Sequence, residues 1–310
     1  MDRRDFLKAS VAGAGAIAGM SSLGSAASAA EEPAAAGEKP KATGVLKLCS
    51  QEGRIPGKSR KEKIENLLKW GAVGIEFGGM DLKGAEQAKK DCAEMGIGLA
   101  ALCWGYFPFI DPDEEKRKKA VEDMKKALEV AAAAGSTGVI CVPAFNNHPQ
   151  LEFYEAKKVL LGLLPQIGEH AAKVGSRILM EPLNRGEARF LNQLAFGAQL
   201  CRDSKAEGIC MMGDFYHMCI EEPNDEGAFL SAGKYCHHVH LASRRRDLPG
   251  QDQMKEPDKP ERSFVDGFRG LKRIGFQDYC SLECGCQGDP MVEIPKSFQF
   301  LKKQWELAVV

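Results

Sequence analysis

The sequence predicts an eight-stranded parallel α/β barrel, a (β/α)₈ TIM barrel in one domain, and three observations carry that reading. Short apolar β-type runs alternate eight times with longer helical runs between residues 45 and 307, as they do where helices cover both sides of a buried parallel sheet. Eight such units in roughly 265 residues match the usual barrel size of about 250. A doubly wound open sheet would place a glycine-rich phosphate turn after its first strand, and here that place holds Gln51, Glu52, Gly53 and Arg54.

The units run in order. A strand over 45–50 leads to a helix over 58–70 with Ile64, Leu67 and Leu68 on one face. The second strand, 72–77, ends in Gly78-Gly79 before a helix over 84–95. The third, 97–103, opens into an aromatic loop over 104–109 and then a long charged amphipathic helix over 112–134. The fourth, 137–142, stops at Pro143; its helix, 152–174, contains Pro165, a residue that can kink or split it. The fifth, 176–181, is stopped by Pro182 and followed by a helix over 189–206. The sixth, 209–214, has a shorter helix near 225–232; the seventh, 236–241, is followed by a loop to about 262 and a helix over 263–274. The eighth strand, 279–283, and a helix over 290–307 close the chain.

Residues 1–30 resemble a twin-arginine export signal. Arg3 and Arg4 precede Phe6-Leu7-Lys8, a weakly apolar Ala/Gly run follows to about Leu23, and Ala27-Ser28-Ala29 offers a cleavage site. That reading implies passage through the twin-arginine machinery, a periplasmic or extracellular location and no membrane association after cleavage. Residues 31–43 read as a linker, and 44–310 as the barrel. The formal net charge of −1 lacks the basic surplus of a nucleic-acid binder. Several of the 11 cysteines, Cys49, Cys141, Cys210 and Cys280, sit inside apolar runs, where the thiol is usually a small buried hydrophobe. Cys284 and Cys286 form the only close pair, without the partner spacing of a zinc site.

In a parallel barrel the reactive groups gather at the C-terminal strand ends. The fifth strand ends in Glu181, the sixth in Asp214, the seventh carries His240 and the eighth ends in Glu283. Hard oxygen donors with one imidazole suit Mn²⁺, Mg²⁺ or Co²⁺, with Zn²⁺ as an alternative. The first four strands end near Ser50, Phe77, Cys103 and Val142 and offer no such set. His237 and His238 read as structural or surface groups. Trp104, Tyr106, Phe107 and Phe109 could wall a site or form an ordinary aromatic cluster, and Phe145 to His148 could touch a substrate.

Four motifs now carry a resemblance: E-P-L-N-R-G-E at 181–187, G-D-F-Y-H at 213–217, H-V-H-L-x₄-R-x₂-P-G at 238–250 and S-L-E-C-G at 281–285. In order and spacing the chain resembles the xylose-isomerase-like TIM-barrel superfamily, in its sugar (phosphate) isomerase/epimerase group of ketose 3-epimerases and hydroxypyruvate isomerase. The resemblance implies that Glu181, Asp214, His240 and Glu283 bind a divalent metal, Mn²⁺ first among the candidates. It implies that Glu181 and Glu283 are also the acid/base pair, and that Glu187, His217 and Arg246 contact a sugar. Trp104 is added as a substrate wall. The expected reaction is isomerisation or epimerisation of a non-phosphorylated sugar through an enediolate. A lyase acting on a keto-glycoside with the same site, a non-catalytic sugar-binding barrel and a DNA-repair endonuclease are the weaker alternatives. Self-association is left open.

Overall fold

The eight strands form one all-parallel sheet in a computed structural model that describes residues 44–310; the export-signal and linker readings lie outside the described residues. They are β1 (Lys47–Ser50), β2 (Gly74–Gly78), β3 (Gly98–Tyr106), β4 (Val139–Val142), β5 (Ile178–Met180), β6 (Ile209–Asp214), β7 (Cys236–Leu241) and β8 (Tyr279–Leu282). Neighbours follow the order β1-β8-β7-β6-β5-β4-β3-β2. The remaining seam, between β1 and β2, is joined by a parallel bridge from Gln51 to Glu76 and by the Val73 amide donating to the Leu48 carbonyl at 2.9 Å. The barrel is thus nearly closed, with its weakest pairing at that seam.

Helices α1 (Arg60–Lys69), α2 (Leu82–Met95), α3 (Glu114–Ala134), α4 (Phe153–Val174) and α5 (Leu194–Ser204) follow the first five strands. α6 (Phe215–Glu221) and α7 (Asp225–Ala232) follow β6, and α8 (Asp252–Lys255) and α9 (Val265–Arg273) follow β7. α10 (Pro290–Leu307) follows β8. Local chemistry sets their ends. Asp113 caps α3 through the Glu115 amide at 2.9 Å, and the helix ends on Gly135, whose φ of 72° is costly for any residue with a Cβ.

Alternation within each strand divides the core. Ile178 and Met180 of β5 face the helices, whereas Leu179 faces the lumen with Ala101, Ile140, Cys210 and Met212. Those five residues, with Cys103 against them, make an apolar plug on the β3–β6 side.

Several boundaries differ from expectation. β3 runs on to Tyr106 through a register shift between Cys103 and Gly105, so Trp104 belongs to the strand. α4 is continuous through Pro165. α5 starts at Leu194, not 189, because residues 189–193 fold back: the Leu183 amide donates to Leu191 O at 3.0 Å and Asn192 Nδ2 to Leu183 O at 2.8 Å. α6 was not anticipated; Asp214 ends β6 and caps α6 through the Tyr216 amide at 2.8 Å. All eleven cysteines are free, and burial pushes the Cys284 thiol well up.

Candidate metal centre

Four adjacent strands deliver four ligand-type side chains to one point. Asp214 on β6 pairs in register with His240 on β7, and His240 with Ser281 on β8, two residues before Glu283. Glu181 follows β5 directly, its amide held by the Cys141 carbonyl at 3.0 Å, and Pro182 turns the chain away. Glu181, Asp214, His240 and Glu283 can each place one ligand atom within 4.8 Å of all the others. From His240 Nδ1, Glu283 Oε2 lies at 2.8 Å, Glu181 Oε1 at 3.4 Å and Asp214 Oδ2 at 3.8 Å.

Three carboxylates around one imidazole fit a divalent cation. Glu181 Oε1 and His240 Nδ1 are buried without an aligned hydrogen-bond partner; the short approach of His240 Nδ1 to Glu283 is out of line for such a bond. Buried polar atoms left this way are costly unless something binds them. The carboxyls are also unlike. Burial raises the proton affinity of Glu181, which His240 only partly offsets. Burial would raise Glu283 too, but His240 and Arg246 hold it at about 2. His240, despite burial, is pushed well up by Glu283 and Glu76.

The other expected site residues sort into two groups. Arg246 reaches the centre, its guanidinium bonding both Asp214 and Glu283 and lying 4.8 Å from the Tyr216 ring. Its backbone is left-handed, with φ at 58°. His217, on α6, sits with Nε2 3.7 Å from Asp214 Oδ2. Its Nδ1 accepts the Asn184 amide at 3.1 Å, which places the ring proton on Nε2. Glu187 stands on the rim, 45% exposed, where Asn184 Nδ2 donates to it at 2.8 Å. Asn184 therefore holds both Glu187 and His217. Arg185 braces the same loop by gripping Glu221 through Nε and NH2, at 2.9 and 2.6 Å from Oε2. Asn146 ties the loop after β4 to this rim, donating to Arg185 O at 2.9 Å and Gly186 O at 3.1 Å.

The aromatic set divides. Phe107 and Phe109 are buried and stacked on each other, so they belong to the core and form no wall. Trp104 is half-buried over Gly79, where a Cβ would meet its ring at 2.9 Å. Tyr106 stacks on His148 at 4.1 Å.

One group was missed by reading strand ends. Glu76, on β2, is fully buried and faces the lumen. Its carboxylate accepts from His238 Nε2 at 2.7 Å, from Gln51 Nε2 at 2.9 Å and lies 3.2 Å from His240 Nε2. The available signal was a lone acid inside the apolar run A-V-G-I-E-F. His238 is fully buried against Glu76, and with Glu76 and His240 it forms a second group of ligand-type side chains; His237 is half-buried against Asp278 at 2.7 Å.

A family model described as a xylose isomerase-like TIM barrel matches residues 64–304, and the chain belongs to that family. It is 29% identical to a 3-dehydro-D-guloside 4-epimerase of Escherichia coli, over 77% of this chain and 92% of that protein. It is 30% identical to a probable ketose 3-epimerase of Synechocystis, over 71% of this chain and 76% of that one. Among solved structures, the apo form of an E. coli 3-keto-D-glucoside 4-epimerase superposes with a TM-score of 0.73 at 25% identity, covering 84% of this chain and all of that one (100%).

Proposed function

We propose that the protein is a divalent-metal-dependent sugar epimerase that moves a proton on a carbon next to a carbonyl. The observation that carries the reading is the meeting of Glu181 and Glu283 with Asp214 and His240 around one point, all ligand atoms within 4.8 Å. Mn²⁺ suits three carboxylates and an imidazole, with Mg²⁺, Co²⁺ or Zn²⁺ as alternatives. A bound cation would act as a Lewis acid on the carbonyl and neighbouring hydroxyl oxygens, making the intervening C–H acidic enough for a carboxylate.

The chain supplies the rest. Glu181 and Glu283 rise from β5 and β8, so they approach from different sides; one removes the proton and the other returns one to the opposite face. Arg246, held between Asp214 and Glu283, supplies a cationic fork for substrate oxygens. His217, with its proton on Nε2, and Glu187 on the rim supply hydrogen bonds to hydroxyls. Trp104 and Tyr106 border the mouth with apolar surface suited to a sugar face. The names of the relatives make keto-glycosides, beside free ketoses, the substrates to try first. The twin-arginine-like start supports work outside the cytoplasm, on non-phosphorylated sugars.

Deuterium wash-in from D₂O, with and without Mn²⁺, over a panel of ketoses and keto-glycosides tests the proposal. The expected result is metal-dependent label at one carbon together with the epimer. Aglycone release with no epimer would make the protein a lyase instead. Absence of exchange in metal-loaded protein with every member of the panel would sink the mechanism.

A further inference from the structure

We propose that Glu76 is a positioning residue for the metal centre, holding His240 by Nε2 so that Nδ1 is presented to Glu181, Asp214 and Glu283. This rests on the reading of those four residues as metal ligands.

The two nitrogens of His240 look in opposite directions. Nδ1 faces the three carboxylates of the centre. Nε2 faces both oxygens of Glu76, at 3.2 Å from each. A ligating imidazole nitrogen must be free of its proton, so the other nitrogen keeps it, and the group that accepts that N–H fixes both tautomer and ring angle. Glu76 is that acceptor, and it is itself immobilised. His238 bonds Oε2 at 2.7 Å, with its ring nearly perpendicular to that of His240 at 88°. Gln51 donates one amide to Glu76 Oε1 at 2.9 Å and to Glu283 Oε1 at 3.0 Å. One amide thus ties the carboxylate behind His240 to another proposed ligand.

The location adds weight. Gln51 and Glu76 are also the backbone bridge across the β1–β2 seam. The same two residues therefore take part both in the closure of the barrel and in the orientation of the ligand histidine. A carboxylate with no exposed surface is expensive there. Apolar side chains fill the corresponding lumen space on the β3–β6 side without that cost. Ligand orientation gives the charge a purpose that packing does not.

The test compares Mn²⁺ affinity, by titration calorimetry, in the wild-type protein and in Glu76→Gln, with thermal melting of the metal-free forms as a control. Glu76→Gln keeps the shape but can donate where the carboxylate only accepts. Its Mn²⁺ affinity is expected to fall by about 10- to 100-fold. A role in closure alone would shift melting and leave affinity as it was; that result would overturn the proposal. Nitrogen NMR of ¹⁵N-histidine-labelled, Zn²⁺-loaded wild-type protein gives a second readout that does not depend on Glu76→Gln folding. The His240 pair, assigned by its loss in His240→Asn, should show a protonated Nε2 and a metal-bound Nδ1. Metal on Nε2 would overturn the proposal. If the wild-type protein binds neither ion, the metal reading itself falls and takes this one with it, which separates the two failures.

Discussion

The two glutamates proposed to move protons stand on unlike halves of the barrel. Glu181 tops β5 on the side whose lumen is filled by Ala101, Ile140, Leu179, Cys210 and Met212. Glu283 follows β8 on the side whose lumen holds His238, His240, Glu76, Gln51 and Ser281. Their proton affinities follow from those surroundings. Burial dominates at Glu181 and raises it, whereas His240 and Arg246 hold Glu283 at about 2. The comparison teaches that two buried carboxylates of one site are set apart by what meets them: the Arg246 guanidinium bonds Glu283, whereas Glu181 Oε1 has no aligned partner. Separating the proton affinities of two acids in one site is how a single environment supplies both an acid and a base.

The strongest way to break this comparison is to neutralise each glutamate in turn. Glu181→Gln and Glu283→Gln should each lower epimerisation by about a hundred- to ten-thousand-fold, the usual range for one general base. The sharper readout is deuterium wash-in started separately from each epimer. If each carboxylate serves one face, Glu181→Gln should suppress wash-in mainly from one epimer and Glu283→Gln mainly from the other. Equal suppression from both epimers in both variants would mean that the halves are not chemically distinct.

The next effect is on stability and should be confined to the hydrocarbon half. Leu179 is fully buried in the lumen plug. Leu179→Ala removes its packing and leaves a cavity, costing about 2–5 kcal/mol in denaturant unfolding. Mn²⁺ affinity should stay unchanged, because no member of the plug bonds a proposed ligand. A large loss of affinity would show that the plug, and not the Glu76 network, sets the centre.

The halves also differ in how far the sequence discloses them. Eight alternating runs mark the barrel because parallel strands buried on both faces read as continuous apolar segments. Glu181, Asp214, His240 and Glu283 stand out for the opposite reason: each puts a polar group where such a segment ends. Glu76 is hidden from that logic. Its neighbour Phe77 looks like the strand's end, and a strand's period of two alone does not say which of the pair faces the lumen. Only closure against β1 settles it, and that is a contact between segments, not a property of either. α6 is obscured in the same way, since Asp214 is both the last strand residue and the helix cap. The continuity of α4 through Pro165 is another fact of packing that local rules do not supply.

The smallest expected effect lies on the rim above the hydrocarbon half. Asn184 touches none of the four proposed ligands; its side chain donates to Glu187 at 2.8 Å, lies 2.9 Å from His217 Nδ1 and accepts the Gly186 amide at 3.0 Å, while its backbone amide donates to His217 at 3.1 Å. Asn184→Ala keeps that backbone amide and removes the side-chain bonds. Loss of a buried hydrogen bond of about 1–2 kcal/mol corresponds to roughly a tenfold change in an equilibrium constant. If Glu187 serves to bind hydroxyls, the loss should appear as a higher KM with kcat nearly preserved, since binding shared by ground and transition states is what such a change removes. Mn²⁺ affinity should not move. A fall in kcat with KM unchanged would place Glu187 and its brace among the groups that act only in the transition state. The β5 side would then contribute to the chemistry through its rim as well as through Glu181.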